Sequence, residues 1–165
     1  MVIRHQFQPP STDFLKKLGY RFSRTLLNHD NMQSENYLWR AVVVNALEDT
    51  MIIRDDRKSA TLKTNAHLWI INNCKDFDRV CSWAMLDSEQ VSNAYKKAVD
   101  SKQIIFSNRH LYWLKYNFLF KKFKSNIDSR MKRNIKKEMK DIKRAALYEE
   151  VSYDVNVHNS PALTD

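Results

Sequence analysis

The sequence predicts an all-α protein. Glycine occurs once and proline three times in 165 residues, and tight β-turns depend on these two residues, so a sheet of many hairpins is disfavoured. Apolar residues recur at steps of three and four along most of the chain, which is the spacing of amphipathic helices. This length can bury a core without metal or disulfide staples. We therefore expect a compact multi-helix domain.

The domain boundaries follow from composition. Residues 1–10 end in Pro9-Pro10 and predict an extended N-terminal arm. Residues 11–124 alternate apolar and polar side chains and predict the helical core domain. Residues 125–150 predict a basic amphipathic helix, and residues 151–165 have the polar composition of a disordered tail.

Three helices are expected in the first half of the chain. Ser11 is a suitable cap for the first, Ser34 begins the second, and the third follows a charged turn at residues 54–58. The second is the most apolar stretch of the chain. Because an apolar surface that wide must be covered on nearly all sides, we expect it to be the central core helix.

Residues 77–98 predict two short helices that meet at a tight corner. Asp87 can accept hydrogen bonds from the exposed N–H groups of the second helix, and Gln90 follows at capping-box spacing. The second helix is expected to bury one face and to expose polar side chains on the other. The expected buried residues are Val91, Ala94, Tyr95 and Ala98.

This stretch resembles the helix-turn-helix of DNA-binding regulators of the phage and bacterial type. The small residue of the first helix, the turn residue and the buried aliphatic of the second helix fall on Cys81, Met85 and Val91. Met85 stands where the family often has glycine, so the corner is expected to be strained or to follow a different turn. The resemblance places the base-contacting residues at Ser88, Glu89, Gln90, Asn93 and Lys96, with Lys97 or Ser88 on flanking phosphates.

The segment after the corner offers less specific patterns. Gln103 to Phe106 has the composition of a short wing strand with no obvious partner. Residues 112–123 are dense in aromatic side chains interleaved with cations. Such a stretch packs its rings on a core, stacks nucleic-acid bases or forms a self-association face, and packing is the preferred interpretation.

A concentrated basic block follows. Residues 121–144 contain eleven basic and three acidic residues, a net charge of +8 out of +9 for the whole chain. Its apolar residues recur at steps of four and three, so one stripe is expected to pack while the remaining surface is cationic. A block of this kind is the usual footprint of a polyanionic partner. The expected phosphate-binding residues are Arg130, Arg133, Lys136, Lys137, Lys140 and Arg144.

No enzyme class is predicted. The sequence has no glycine-rich phosphate loop, no zinc-binding His-Glu-x-x-His pattern and no nucleophile elbow, and neither a metal nor a cofactor is expected. His67 is interpreted as a packed core residue, and Cys74 and Cys81 as buried, reduced thiols. No segment is apolar enough for a membrane span or signal peptide, so a cytoplasmic protein without a membrane partner is expected, associated with the nucleoid if its source is bacterial or phage.

Two function hypotheses remain. The first is a small sequence-specific regulator that binds double-stranded DNA, with a homodimer formed through residues 112–123 as a further expectation. The second is an interaction module that docks on RNA polymerase or another nucleoprotein complex, in which the basic helix contacts nucleic acid without sequence preference.

Overall fold

A computed structural model describes residues 34–72 and 74–153. This part of the chain contains six helices and no strand, so the prediction that the protein is all-α is confirmed for it. The expected arm at 1–10, the helix capped by Ser11 and the tail beyond residue 153 lie outside the described residues. The helices are α1 (Ser34–Thr50), α2 (Arg57–Ile71), α3 (Lys75–Trp83), α4 (Ser88–Asp100), α5 (Asn108–Ser125) and α6 (Ser129–Tyr148).

The described residues divide into two compact units. The central unit comprises residues 34–53 and 65–105, and the C-terminal unit comprises residues 54–64 and 106–153. Helix α2 belongs to both, because its first half lies in the C-terminal unit and its second half in the central unit.

The core of the central unit is built from α1, the second half of α2, α3 and α4. Val43 and Ile70 are fully buried. The rings of Trp39 and Trp83 lie 4.5 Å apart between α1 and α3. Helix α1 is less completely covered than its composition predicts, since Leu38 is 60% exposed and Val42, one turn later on the same face, is also exposed. The apolar width of a helix therefore overstated how much of it the fold buries.

The C-terminal unit is organised around a helical hairpin. Helices α5 and α6 are joined by only three residues, 126–128, and so run antiparallel. Leu119 of α5 packs against Ile135 and Ile142 of α6. Nearer the open end of the hairpin, Trp113 and Ala146 pack on Ala60 of α2.

The apolar run before α5 is not a strand. Ile104, Ile105 and Phe106 are buried in an irregular connection. The wing strand expected there does not form, because a strand needs a partner for its backbone groups and no other strand exists among the described residues.

Candidate nucleic-acid interface

The predicted phosphate-binding residues lie on the outer surface of α6. Asp128 begins this helix, since its carboxylate accepts a hydrogen bond of 2.8 Å from the Arg130 N–H. Ile135, Ile142 and Ala146 are buried as a stripe against α5 and α2. Except for Lys132, which is half-buried, the basic side chains outside that stripe are exposed, and they include all six expected contacts: Arg130, Arg133, Lys136, Lys137, Lys140 and Arg144.

Few carboxylates offset this charge. Glu138 pairs with Lys115 of α5 at 3.0 Å, and both side chains are about half exposed (47% and 50%). Asp128 caps the helix, and the third acid of the block, Asp141, is exposed. The outer surface of α6 is therefore strongly cationic, and closely spaced like charges of this kind attract polyanions.

A cleft of about 280 Å³ lies along the junction of α5 and α6, at the edge of this cationic surface. Tyr116, Phe120 and Phe123 of α5 and Met139 of α6 provide its apolar lining, and all four are half-buried. The amines of α6 that line it belong to Lys136, Lys140 and Lys143. In the sequence, the aromatic stretch and the basic helix are separate features. The short 126–128 connection was the signal that the two would face each other.

Each aromatic ring of the cleft also carries a cation. Lys124 lies 4.8 Å from the centroid of the Phe120 ring, and Lys132 lies 5.7 Å from that of Phe123. Arg57 lies 4.8 Å from the centroid of the Tyr116 ring. Cations over ring faces are attracted by the ring quadrupole, so these contacts limit the motion of the rings.

The corner between α3 and α4 is closed by backbone hydrogen bonds. The Leu86 N–H donates to the Cys81 carbonyl at 2.8 Å, and the Met85 N–H donates to the Ser82 carbonyl at 3.0 Å. This pair of bonds is the Schellman motif, which requires a left-handed residue just beyond the helix. Met85 supplies it with φ 53°. The corner is therefore the strained alternative of the two expected from the sequence.

Arg40 of α1 holds this corner from inside. Its Nε donates to the Ala84 carbonyl at 2.8 Å, and a terminal nitrogen lies 3.4 Å from the Met85 carbonyl. The side chain is only 6% exposed. A cation at a helix C-terminus is favoured by the helix dipole and satisfies the last carbonyls. Sequence analysis missed this residue, and the available signal was that it is the one basic residue of the most apolar helix.

Helix α4 begins where the capping pattern predicts. The Asp87 carboxylate accepts hydrogen bonds from the Glu89 N–H at 2.9 Å and the Gln90 N–H at 3.1 Å. Of the residues expected to contact DNA from this helix, Glu89, Gln90, Asn93 and Lys97 are exposed, while Ser88 and Lys96 are half-buried.

The buried face of α4 differs from the expected one. Ser92 is buried and Ala94 is exposed, whereas the sequence placed Ala94 inside. Tyr95 explains the difference, because its hydroxyl lies 2.7 Å from Nδ1 of His67 and fixes the rotation of the helix. His67 and Tyr95 are both 1% exposed, so the interpretation of His67 as a packed core residue is confirmed. Burial raises the pKa of the Tyr95 hydroxyl.

The α3–α4 segment lacks the charge of α6. Residues 75–100 contain four basic and five acidic residues, a net charge of −1. Attraction to a polyanion over long distances must therefore come from α6. The exposed polar groups of α4 are suited to short-range hydrogen bonds.

Two buried ionisable side chains belong to the C-terminal unit. Burial lowers the pKa of Lys63 to about 7, and its amine lies 4.7 Å from the Phe106 ring centroid. Burial, reinforced by the nearby Lys63 charge, lowers the pKa of His110 to about 4. Nδ1 of the neutral ring accepts the Ser107 N–H at 3.0 Å, and Nε2 donates to the Arg54 carbonyl at 3.1 Å. His110 thus acts as part of the cap of α5.

The described residues contain neither a metal site nor a membrane span. Within residues 34–72 and 74–153, no group of three His, Cys, Asp or Glu side chains is placed to hold a metal ion. No helix in this part of the chain is both long and apolar enough to cross a bilayer. Cys74 and Cys81 are free thiols. Cys81 is buried as expected, and burial raises the pKa of its thiol to about 11, whereas Cys74 is only half-buried.

Comparisons with known protein families, with characterised proteins and with solved structures found no match.

Proposed function

We propose that this protein binds double-stranded DNA, with the exposed cations of α6 on phosphates and the outer face of α4 on base edges. The observation that carries the proposal is the distribution of apolar and basic side chains around α6. Its apolar stripe, including Ile135 and Ile142, is used for packing, while the six expected phosphate-binding side chains remain exposed on the same helix. Phosphate contacts of this kind supply most of the affinity in protein–DNA complexes.

The base-contact part of the proposal rests on α4. Gln90 and Asn93 are exposed near the start of the helix, and their side-chain amides can make paired hydrogen bonds to the N6 and N7 edge of adenine. Glu89 can accept a hydrogen bond from the amino group of cytosine. Met85 also supports the helix-turn-helix interpretation, because its φ of 53° is the conformation that glycine favours at that turn.

The two helices have different roles in this proposal. The α3–α4 segment has a net charge of −1, so α4 contributes discrimination between sequences rather than attraction. Arg130, Arg133, Lys136 and the other exposed cations of α6 contribute attraction that is independent of sequence. The homodimer and the phage or bacterial origin stay predictions from the sequence.

A second candidate is favoured by the acidic side chains of the α3–α4 surface. Asp76, Asp78 and Asp100 are exposed there, and such mixed charge is suited to a protein partner. In this alternative the corner docks on RNA polymerase or another nucleoprotein complex, and α6 contacts nucleic acid without sequence preference.

Selection from random duplex DNA separates the two. In about 150 mM salt, which weakens non-specific phosphate binding, the regulator is expected to enrich a defined motif. Gln90→Ala combined with Asn93→Ala should abolish the enrichment, because the amides that discriminate bases are gone. Asn45→Ala combined with Gln103→Ala is the matched control, since it removes two exposed amides outside α4.

Each result assigns the function. Loss of the motif in the α4 variant alone supports the regulator. Duplex binding without enrichment overturns sequence recognition and favours the docking module. Failure to bind any duplex, even in low salt, overturns the proposed function itself.

A further inference from the structure

We propose that the cleft between α5 and α6 binds an unpaired nucleobase, which makes this hairpin a binding site for single-stranded nucleic acid. The inference rests on the proposed function in one respect, because the cations of α6 supply the phosphate contacts in both. It adds a ligand class that neither the helix-turn-helix pattern nor the basic block implies.

The first argument is the lining of the cleft. Two phenylalanine rings and a tyrosine ring, from Phe120, Phe123 and Tyr116, line a cleft of about 280 Å³ together with Met139. Pockets for drug-sized ligands span roughly 300–1,000 Å³, so this cleft is suited to one flat ring system. Every nucleobase has an apolar face that stacks on aromatic side chains, whichever base it is.

The second argument is charge complementarity. Lys136, Lys140 and Lys143 line the cleft and recur at i, i+4 and i+7, so their amines form one row along α6. Successive lysines of the row are separated by about 6 Å and about 4.5 Å of helix rise. An occupant with an apolar ring and phosphates on either side matches this row. The charge also continues along α6 beyond the cleft, which suits a strand with many phosphates better than a single anionic headgroup.

The third argument is that the rings are already held. Lys124 lies over Phe120 and Lys132 lies over Phe123, and all the lining rings are half-buried. Side chains that are restricted before binding lose little conformational entropy on contact with the ligand, which favours affinity.

The test compares three fluorescein-labelled probes by anisotropy with the full-length protein. The probes are a 15-nucleotide oligothymidylate, an abasic strand of the same length and a 15-base-pair duplex. The oligothymidylate and the abasic strand carry the same phosphates and differ only in bases. We expect the oligothymidylate to bind roughly 5-fold to 150-fold more tightly, the range for one base stacked on an aromatic side chain.

Variants then locate the stacking contact. Phe120→Leu keeps an apolar side chain in the cleft but removes the flat ring, so oligothymidylate affinity should fall by a similar factor while duplex affinity is unchanged. Phe118→Leu is the matched control, because Phe118 belongs to the same helix, is 36% exposed and does not line the cleft. Circular dichroism checks that both variants keep the helical content of the parent protein.

A measurement on the unaltered protein makes the test independent of variant folding. An oligonucleotide with 5-iodouracil in place of thymine forms photochemical cross-links to aromatic side chains that stack on the base. We expect the cross-link at Phe120, Phe123 or Tyr116. A cross-link confined to another helix contradicts the inference.

The outcomes also distinguish this inference from the proposed function. Equal affinity for the oligothymidylate and the abasic strand, with duplex binding retained, overturns the cleft and leaves the proposed function standing. Cleft-dependent binding of the oligothymidylate without duplex binding does the reverse. Binding of anionic phospholipid vesicles that Phe120→Leu weakens, with neither the oligothymidylate nor the duplex bound, overturns both.

Discussion

Two buried basic side chains, Arg40 and Lys63, respond differently to burial. The guanidinium of Arg40 is placed at the C-terminus of α3, where it donates to backbone carbonyls and the helix dipole favours a positive charge. Lys63 is only 1% exposed, and burial lowers the pKa of its amine to about 7. A guanidinium stays charged and has several donors in a plane, whereas an ammonium loses its proton readily when water is removed.

The lowered pKa of Lys63 predicts a stability that rises with pH. Between about 7, its pKa in the folded chain, and 10.5, its ordinary value, the unfolded chain binds a proton that the folded chain does not. The free energy of unfolding should therefore increase from pH 7 to pH 9, by up to about 1.4 kcal/mol per pH unit from this one group. Above pH 9 the raised pKa of Cys81 opposes this rise, because the unfolded chain then loses a proton that the folded chain keeps. Urea unfolding measured from pH 7 to pH 9 checks the slope.

Two lysine substitutions on α2 isolate that contribution. Lys63→Met removes the titrating amine, so its unfolding free energy should rise less steeply with pH than that of the parent protein. Lys58→Met removes an exposed amine from the same helix and should leave the slope unchanged. Parallel curves for Lys63→Met and the parent would show that Lys63 keeps its ordinary pKa in the folded chain.

At the scale of elements, the α3–α4 corner contains backbone strain that a glycine at position 85 would remove. Met85 is 67% exposed and adopts φ 53°. A side chain with a Cβ costs about 1–2 kcal/mol in this left-handed region, while glycine adopts it freely. Since most of the Met85 side chain is in solvent, little packing energy offsets the cost.

Met85→Gly should therefore stabilise the protein. The relief of strain exceeds the added entropy of the unfolded chain by about 0.5–1 kcal/mol, which corresponds to a rise of roughly 1–4 °C in Tm for a chain of this size. Thermal unfolding followed by circular dichroism measures it. Met85→Ala keeps the Cβ and should give no gain; an equal rise in both variants would attribute the effect to loss of the methionine side chain instead.

The α5–α6 hairpin shows how packing of two helices makes a surface that neither has alone. The stripe of Ile135 and Ile142 turns the apolar side of α6 toward Leu119 of α5. That rotation leaves the lysines of α6 outward and brings Lys136 and Lys140 to the aromatic cleft. One packing arrangement thus provides both the cationic surface and the cleft.

At the scale of the whole molecule, charge is distributed unevenly. Residues 121–144 carry +8 of the formal net charge of +9, so the remainder of the chain is close to neutral. A chain that used charge only for solubility would mix both signs over its surface. Binding to a polyanion should therefore depend on α6 and on salt concentration.

The salt dependence gives a whole-molecule prediction. Each phosphate neutralised in duplex DNA contributes about −0.9 to the slope of log affinity against log salt concentration. Lys136→Glu combined with Lys137→Glu should reduce the magnitude of that slope by about 2 and weaken binding to all sequences alike. Fluorescence anisotropy with one duplex at several salt concentrations measures both quantities.

A control of equal charge separates local contacts from net charge. Lys58→Glu combined with Lys75→Glu makes the same change in net charge at exposed positions outside α6. It should weaken binding only slightly and leave the slope near that of the parent protein. Identical slopes for the two double variants would mean that α6 contacts no phosphates in particular.

The sequence by itself determined the features that depend on neighbours along the chain. Scarce glycine and proline with three- and four-residue spacing predicted helices, the position of Asp87 predicted the start of α4, and the steps from Ile135 to Ile142 predicted the buried stripe of α6. These are local effects, because helix periodicity and capping involve side chains only a few residues apart.

Only the tertiary structure decided which faces meet. It placed Arg40 against the corner 44 residues away. It rotated α4 through the contact between Tyr95 and His67, so that Ser92 is buried. It also brought the rings of α5 to the lysines of α6. Such pairings depend on how well surfaces distant in sequence fit together. Their packing energy outweighs the small local preferences that a sequence pattern reports.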